Sequence, residues 1–430
     1  MTTRSREFLE SLFRGAVAAA HPAHCLPPQL PEPPAQGRLI VLAAGKAAGS
    51  ATEVAESHYL ARLPKQRLAG LAVTRHGYGR PTALIPVIEA GHPVPDEAGR
   101  AAAEKMLTLA DGAGASDLVL VLLSGGASAN LIAPAPGLSF ADKQAATRAL
   151  LNSGANIGEF NCVRKHLSRI KGGRLARRAH PAKVVTLAIS DVPGDDPAVI
   201  GSGPTVADPT TLADARAIIA KYRLDVPPSV MAALENPQNE SPKPGDAFFA
   251  GTDYRIIARP ADALAAAQAQ ARAAGYDCVV LGDQLEGEAR AVAAEHARLA
   301  RDYAAQGRRV VILSGGELTV TLGPNRKGRG GPNQEYALAL AMHLDGAANI
   351  AAMAADTDGT DGGRGRPDDP AGAFIDETTV KRALAAGLDP AAFLAENDST
   401  GFFNGIGDLY IPGPTFTNVN DFRAIVVETP

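Results

Sequence analysis

Lys46 follows Gly45 in RLIVLAAGKAAGSATEVA, an apolar run that passes through a glycine turn into a helical pattern. Amides at a helix start with an ammonium beside them attract an anion, although a solvated lysine at a turn is the plainer reading of that pair alone. Ser124, Gly125 and Gly126 in LLSGGASAN follow a second apolar run. Successive small residues there can turn their amides into a nest for phosphate or carboxylate, or can simply make a tight turn. Ser314, Gly315 and Gly316 in LSGGELT repeat the arrangement, now with Glu317, which opposes an anion unless a metal or a base intervenes. In NCVRKHLSRIKGGRLARRA (161–179) Arg164 or Lys165 could clamp a carboxylate or phosphate, arginine through its planar fork. A solvated basic face is the default for such a run, and His166 could be a buried, satisfied histidine.

Carboxylates complete the set. ISDVPGDDPAVIGSGPT (189–205) places Asp191, Asp195 and Asp196 directly after a strand-like run. Such groups hold Mg²⁺ through oxygen or accept a proton from a hydroxyl, and one of the three is expected to cap a turn. Asp191, nearest the strand, is the choice for chemistry, with Asp195 as a second metal ligand. GPNRKGRGGPNQEYALALA (323–341) carries Arg326, Lys327 and Arg329 ahead of Asn333, Gln334 and Glu335. A cationic glycine-rich loop entering a helix suits a clamp on polyphosphate. AADTDGTDGG (354–363) imitates the start of an EF-hand, but Pro367 stands where the bidentate Glu belongs, so it reads as a turn scaffold or the surroundings of a metal.

These residues need sheet ends to stand on. Runs at 38–44, 71–74, 118–123 and 183–189, then 278–281, 309–313 and 349–355, read as buried strands; helical patterns at 96–110, 142–152, 261–274 and 287–305 separate them. The alternation predicts an α/β fold with largely parallel sheets, whose ligands sit at strand carboxyl ends. A Pro-, Asn- and Ser-rich stretch at 226–247 marks the boundary, giving domains 1–240 and 241–430. The two Ser-Gly-Gly turns, one in each half, are an echo that either duplication or ordinary strand-end chemistry would produce.

Composition narrows the function. The 430 residues are 46% apolar and 20% charged, enough for a large core and against disorder. A formal net charge of −4 gives no pull toward nucleic acid or anionic membrane. Cys25, Cys162 and Cys278 form no CxxC pair, which suits a reducing cytosol. The N-terminal stretch reads as an amphipathic helix, not a signal peptide, and no run is long enough to span a bilayer. A cytoplasmic protein, monomer or homodimer, is expected.

Taken in order, AAGKAA (43–48), AGHPVPDEAG (90–99), LLSGGASA (122–129), NCVRKHLSRIKGGRLA (161–176) and ISDVPGDDPAVIGSGPT (189–205) resemble the MOFRL-type (class II) glycerate kinases. SGGELTVTL (314–322), GRGGPNQE (328–335), DTDGTDG (356–362), NDSTGFF (397–403) and TNVNDFRAI (417–425) extend the resemblance over nearly the whole chain. It implies transfer of the ATP γ-phosphoryl group to D-glycerate with Mg²⁺, 2-phosphoglycerate being the expected product. It also implies two α/β domains, the first Rossmann-like with a mostly parallel sheet, the second MOFRL-type with its signature at about 310–425, and an active site in the cleft between them. Lys46 matches the family's phosphate-associated lysine. One branch of the family has an arginine just before NQE; Pro332 stands there in this chain, leaving Arg329 to take the role. Catalysis is thus expected from Lys46, Asp191 and Arg329. Ser124, Gly125, Gly126, Arg164 and Lys165 are expected on substrate or phosphate, and Ser314, Gly315, Gly316, Asn333 and Gln334 on the nucleotide.

Two rivals are weighed. An NAD(P)H-dependent hydroxypyruvate reductase would need a strand-linked GxGxxG with a later acidic partner for the ribose, which the sequence lacks. A non-catalytic anion sensor would not need the lysine and the aspartates together.

Overall fold

A computed structural model describes residues 3–323, 328–363, 366 and 368–429. Among these residues twelve strands form two sheets: β1 (Leu39–Ala44), β2 (Leu68–Arg75), β3 (Val87–Ala90), β4 (Leu118–Leu123), β5 (Lys183–Ile189) and β6 (Thr252–Ala258) in one, β7 (Asp277–Val280), β8 (Val310–Ser314), β9 (Ile350–Asp356), β10 (Gly372–Asp376), β11 (Leu409–Tyr410) and β12 (Asp421–Val427) in the other. All seven strands expected from apolar runs are among them.

The first sheet has the order β3-β2-β1-β4-β5-β6, with β1 to β5 parallel. Successive side chains of a strand alternate faces. Ile40, Leu42 and Ala44 therefore enter one apolar core while Leu39, Val41 and Ala43 enter another on the opposite face. Burial on both faces is why β1 and β4 read as unbroken apolar runs rather than alternating ones. The strand order reverses between β1 and β4: chain order moves one way from β1 to β3 and the other way from β4. Open parallel sheets bind ligands at the carboxyl ends flanking such a switch point.

The second sheet, β11-β10-β9-β12-β8-β7, is mixed, which corrects the expectation of largely parallel sheets in both halves. β12 runs antiparallel to both β8 and β9 at the sheet's centre, and β10 is antiparallel to β9. Consequently the carboxyl ends of β8 and β9 lie at the same edge as the amino end of β12, in the registers Ser314↔Arg423 and Asp356↔Asp421. The resemblance between the two Ser-Gly-Gly turns does not extend to the topology around them.

By contacts the chain forms two compact units, Cys25–Ile257 and Met1–His24 with Ala258–Pro430. This division differs from a cut at 240/241 for two physical reasons. Residues 241–257 lead into β6, which completes the first sheet. The N-terminal helix Thr3–Ala20 packs its apolar face against the helix Pro260–Ala273, where Gln270 donates to the Ser11 hydroxyl (2.8 Å), and Thr417 donates to the Ala20 carbonyl (2.7 Å). The three cysteines are unlinked, and among the described residues no helix is long and apolar enough to cross a membrane.

Candidate active site

At the switch point of the Rossmann-like unit, β1 and β4 deliver their glycine turns side by side. The register Ala44↔Leu123 brings Gly45 level with Ser124 and Lys46 level with Gly125. The Lys46 amide donates to the Gly125 carbonyl (2.8 Å), and the Ala47 amide to the Ser124 hydroxyl (2.9 Å). Gly45 has φ +114°, and a Cβ there would lie 2.4 Å from both the Ser124 carbonyl and its hydroxyl, so no other residue fits. Gly126 is left-handed (φ +85°), with Lys46 and His92 close to the place its Cβ would take. Among the described residues, the Gly125 and Gly126 amides make no hydrogen bond. The result is a nest of two available N–H groups beside a half-buried lysine that precedes the helix Ala48–Leu60.

Asp191 stands on the same edge. Leu123↔Ala188 sets Ser190 level with Gly125, and Asp191 follows, half-buried. Lys46 and Asp191 thus leave strands two places apart, roughly 10 Å at the backbone, a span that long side chains and a bound group can bridge. Asp195 takes a left-handed backbone (φ +55°), whereas Asp196 accepts from the Ala198 amide (2.8 Å) and is the structural turn carboxylate of the three. Among the described residues no group of three or more His, Cys, Asp or Glu side chains is gathered to hold a metal by itself. Mg²⁺ commonly takes only one or two carboxylates together with phosphate oxygens, and Asp191 with Asp195 fits that pattern.

The basic run 161–179 spans two helices. The helix Ile157–His166 ends, a turn intervenes, and Arg174–Ala179 forms the next. Backbone bonds from Gly172 to the Ser202 carbonyl (3.0 Å) and from Gly173 to that of Gly203 (2.8 Å) seat this turn on the IGSGPT segment. The Ser128 hydroxyl meets that of Ser202 (2.9 Å), so the motifs at 122–129, 161–176 and 189–205 converge. Arg164 donates to the Ser128 carbonyl (3.2 Å). Lys165 is buried 3.5 Å from Asp208, which corrects its assignment to an incoming anion: its charge already has a partner. His166 is buried and satisfied between the Cys162 carbonyl (2.9 Å) and Glu240 (3.0 Å).

In the mixed-sheet unit the expected nucleotide residues have mostly internal partners. The Gly315 amide donates to the Gly282 carbonyl (2.8 Å), and the carbonyls of Gly315 and Gly316 accept from Arg423 (2.8 and 3.0 Å); the Gly316 amide makes no hydrogen bond among the described residues. Asn333 and Gln334 are buried, and their amides and side chains all donate to the Asp361 carboxylate at 2.8–3.2 Å. Asp361 thereby caps the helix Pro332–Leu344, whose first residue, Pro332, needs no amide partner. The DTDGTDG segment is accordingly a turn scaffold. Arg329 is exposed, with its backbone pinned: its amide donates to Asp398 (2.9 Å) and its carbonyl accepts from the Thr400 amide (2.9 Å). Arg326 and Lys327 lie outside the described residues.

Burial, then the neighbouring Asp421, pushes the Asp361 carboxyl up to about 7 despite the amides that lower it. A carboxyl whose folded value exceeds its unfolded one (about 3.9) keeps its proton longer when folded, so its contribution to stability falls as pH rises from about 4 to about 7. The Tm of Asp361→Asn relative to wild type should therefore increase across that window. A difference independent of pH would contradict the shift.

Comparison with known proteins agrees with the sequence resemblance. Residues 8–235 match the model of a domain of unknown function (DUF4147), and residues 310–421 match the MOFRL family. A protein of Agrobacterium vitis named "Putative hydroxypyruvate reductase" is 49% identical over 98% of this chain and 94% of its own length. The D-glycerate 2-kinase of Thermotoga maritima is 39% identical over 89% of each chain. The crystal structure of glycerate kinase from that organism superposes with a TM-score of 0.85, at 34% identity and 99% coverage of both chains. The fold and these relatives define an α/β phosphoryl-transfer enzyme. The chain belongs to the MOFRL-type glycerate kinase family.

Proposed function

We propose that the protein phosphorylates D-glycerate at the expense of ATP, forming 2-phosphoglycerate. The carrying observation is the pair of glycine turns at the β1/β4 switch point, where Lys46 flanks two amides that make no hydrogen bond among the described residues. A migrating phosphoryl group develops charge on its peripheral oxygens, and fixed donors with a cation stabilise it. Asp191 and Asp195 would hold Mg²⁺, which shields phosphate charge when bound. Alternatively, Asp191 would take the proton of the attacking hydroxyl. Ser124 fixes the nest through its hydroxyl. Arg329 is given the family's arginine role, and the Ser314–Gly316 turn contacts the nucleotide through the Gly316 amide. Asn333 and Gln334 act by holding Asp361 and the helix behind the 328–331 loop.

The reductase reading fits the site poorly. The first βα turn is Gly45-Lys46-Ala47-Ala48-Gly49, with a lysine where a dinucleotide fold needs only close backbone, and β2 ends in Thr74-Arg75, followed by His76-Gly77, with no acidic residue there for a ribose. Incubation with ATP, Mg²⁺ and D-glycerate, then ³¹P NMR, should show 2-phosphoglycerate. A 3-phosphoglycerate signal would overturn the regiochemistry. No phosphorylated product, with NADH oxidised by hydroxypyruvate, would overturn the kinase.

A further inference from the structure

Lys171 is 1% exposed, yet its ammonium, with three N–H donors, has one acceptor among the described residues, the Ser128 carbonyl at 2.9 Å. Arg164 reaches the same carbonyl at 3.2 Å and lies over the Phe160 ring (4.9 Å), leaving most of its five donors unmatched. Among the described residues, no carboxylate lies within ion-pair distance of either, nor of nearby Lys143. Lys143 and Arg174 serve the fold, donating to the Leu167 and Lys165 carbonyls at the end of the helix Ile157–His166. Lys171 and Arg164 differ in sharing a single acceptor, the Ser128 carbonyl, among the described residues. A buried cation such as Lys171, with the half-buried Arg164 beside it, is costly without an opposite charge, and an incoming anion would supply one.

We propose that Arg164 and Lys171, converging on the Ser128 carbonyl, form the seat for the carboxylate of the hydroxy-acid substrate, an inference that rests on the glycerate kinase reading. Ser128 lies in the short helix Ala127–Asn130 that directly follows the Gly125–Gly126 turn, so the seat and the nest belong to one strand-end segment, and a three-carbon acid has its carboxylate and hydroxyl close together as well. Two planar carboxylate oxygens match one guanidinium edge and one ammonium. Burial, with Arg164 and Lys143 adding to it, drives the Lys171 ammonium well below its ordinary pKa, and a bound anion would reverse that. Lys165, held by Asp208, is not part of the seat.

Lys171→Met and Arg164→Gln test this on the full chain. Each should raise the KM for D-glycerate roughly 30-fold or more while the KM for ATP stays within threefold, because a buried charged contact to one substrate alone is lost. The Tm of Lys171→Met without ligand should equal or exceed that of wild type, since an under-satisfied buried charge is removed. Calorimetric titration with D-glycerate reads the same loss of affinity without turnover. Wild-type affinity for D-glycerate in both variants, or a rise in the KM for ATP alone, would overturn the seat. Failure of the wild type to phosphorylate D-glycerate would instead count against the kinase reading, and the titration would still judge the seat.

Discussion

Replacing Lys46 with alanine should lower kcat about 10²–10³-fold and leave the fold intact. The bonds that shape the turn belong to the backbone: Lys46 N–H to Gly125 O (2.8 Å), and the Thr74 hydroxyl to Lys46 O (3.4 Å). Alanine keeps both. The substitution removes a cation whose side chain passes Gly126 at the switch point, and losing one preorganised donor at a reacting group typically costs about 3–4 kcal/mol of transition-state stabilisation. Far-UV circular dichroism should match wild type, and the loss should fall on kcat more than on the KM for D-glycerate. Wild-type kcat in a folded Lys46→Ala protein would remove this lysine from the reaction.

Asp191→Asn should cost more, roughly 10²–10⁴-fold in kcat, the range for removing a group that moves a proton in the transition state. Asparagine preserves shape and hydrogen bonding but neither bases a hydroxyl nor holds a cation well. A loss that excess Mg²⁺ partly restores marks Asp191 as a metal ligand; a loss insensitive to Mg²⁺ marks it as the base. Activity within tenfold of wild type would contradict both roles.

Strand ends are more legible in the sequence than the pairing of the side chains beyond them. Strands buried on both faces are the clearest elements, which is why apolar runs locate β1, β4, β5, β8 and β9. They miss β12, because DFRAIVV carries Asp421 and Arg423, charges that mimic a turn. In the fold these satisfy each other at 2.8 Å, and Arg423 also binds the Gly315 and Gly316 carbonyls. β6 is hidden in the same way: TDYRIIA mixes charge into a run at the sheet's margin.

At the site, glycine spacing and strand ends make Lys46, Ser124–Gly126 and Asp191 visible as candidates. Side-chain pairing is invisible at that level. Lys165 and Lys171 are equivalent in a basic run, and among the described residues it is Asp208, 43 residues downstream of the first, that separates a lysine with a carboxylate partner from one bonded to a lone carbonyl. Asn333 and Gln334 open a helix as ligand contacts do, but Asp361 reaches them from another strand end. His92, in AGHPVPDEAG, does not stand out in the sequence because its closeness to Gly126 and Lys46 depends on how β3 and β4 are placed. The one signal available for it is its position inside a motif shared with the family.

The most direct test of the account is a crystal structure with ADP, Mg²⁺, D-glycerate and a metal-fluoride mimic of the moving phosphoryl group. The mimic is expected within hydrogen-bond reach, about 3 Å, of the Lys46 ammonium and the Gly125 and Gly126 amides. A mimic bound elsewhere, with water or nothing in that nest, would contradict it.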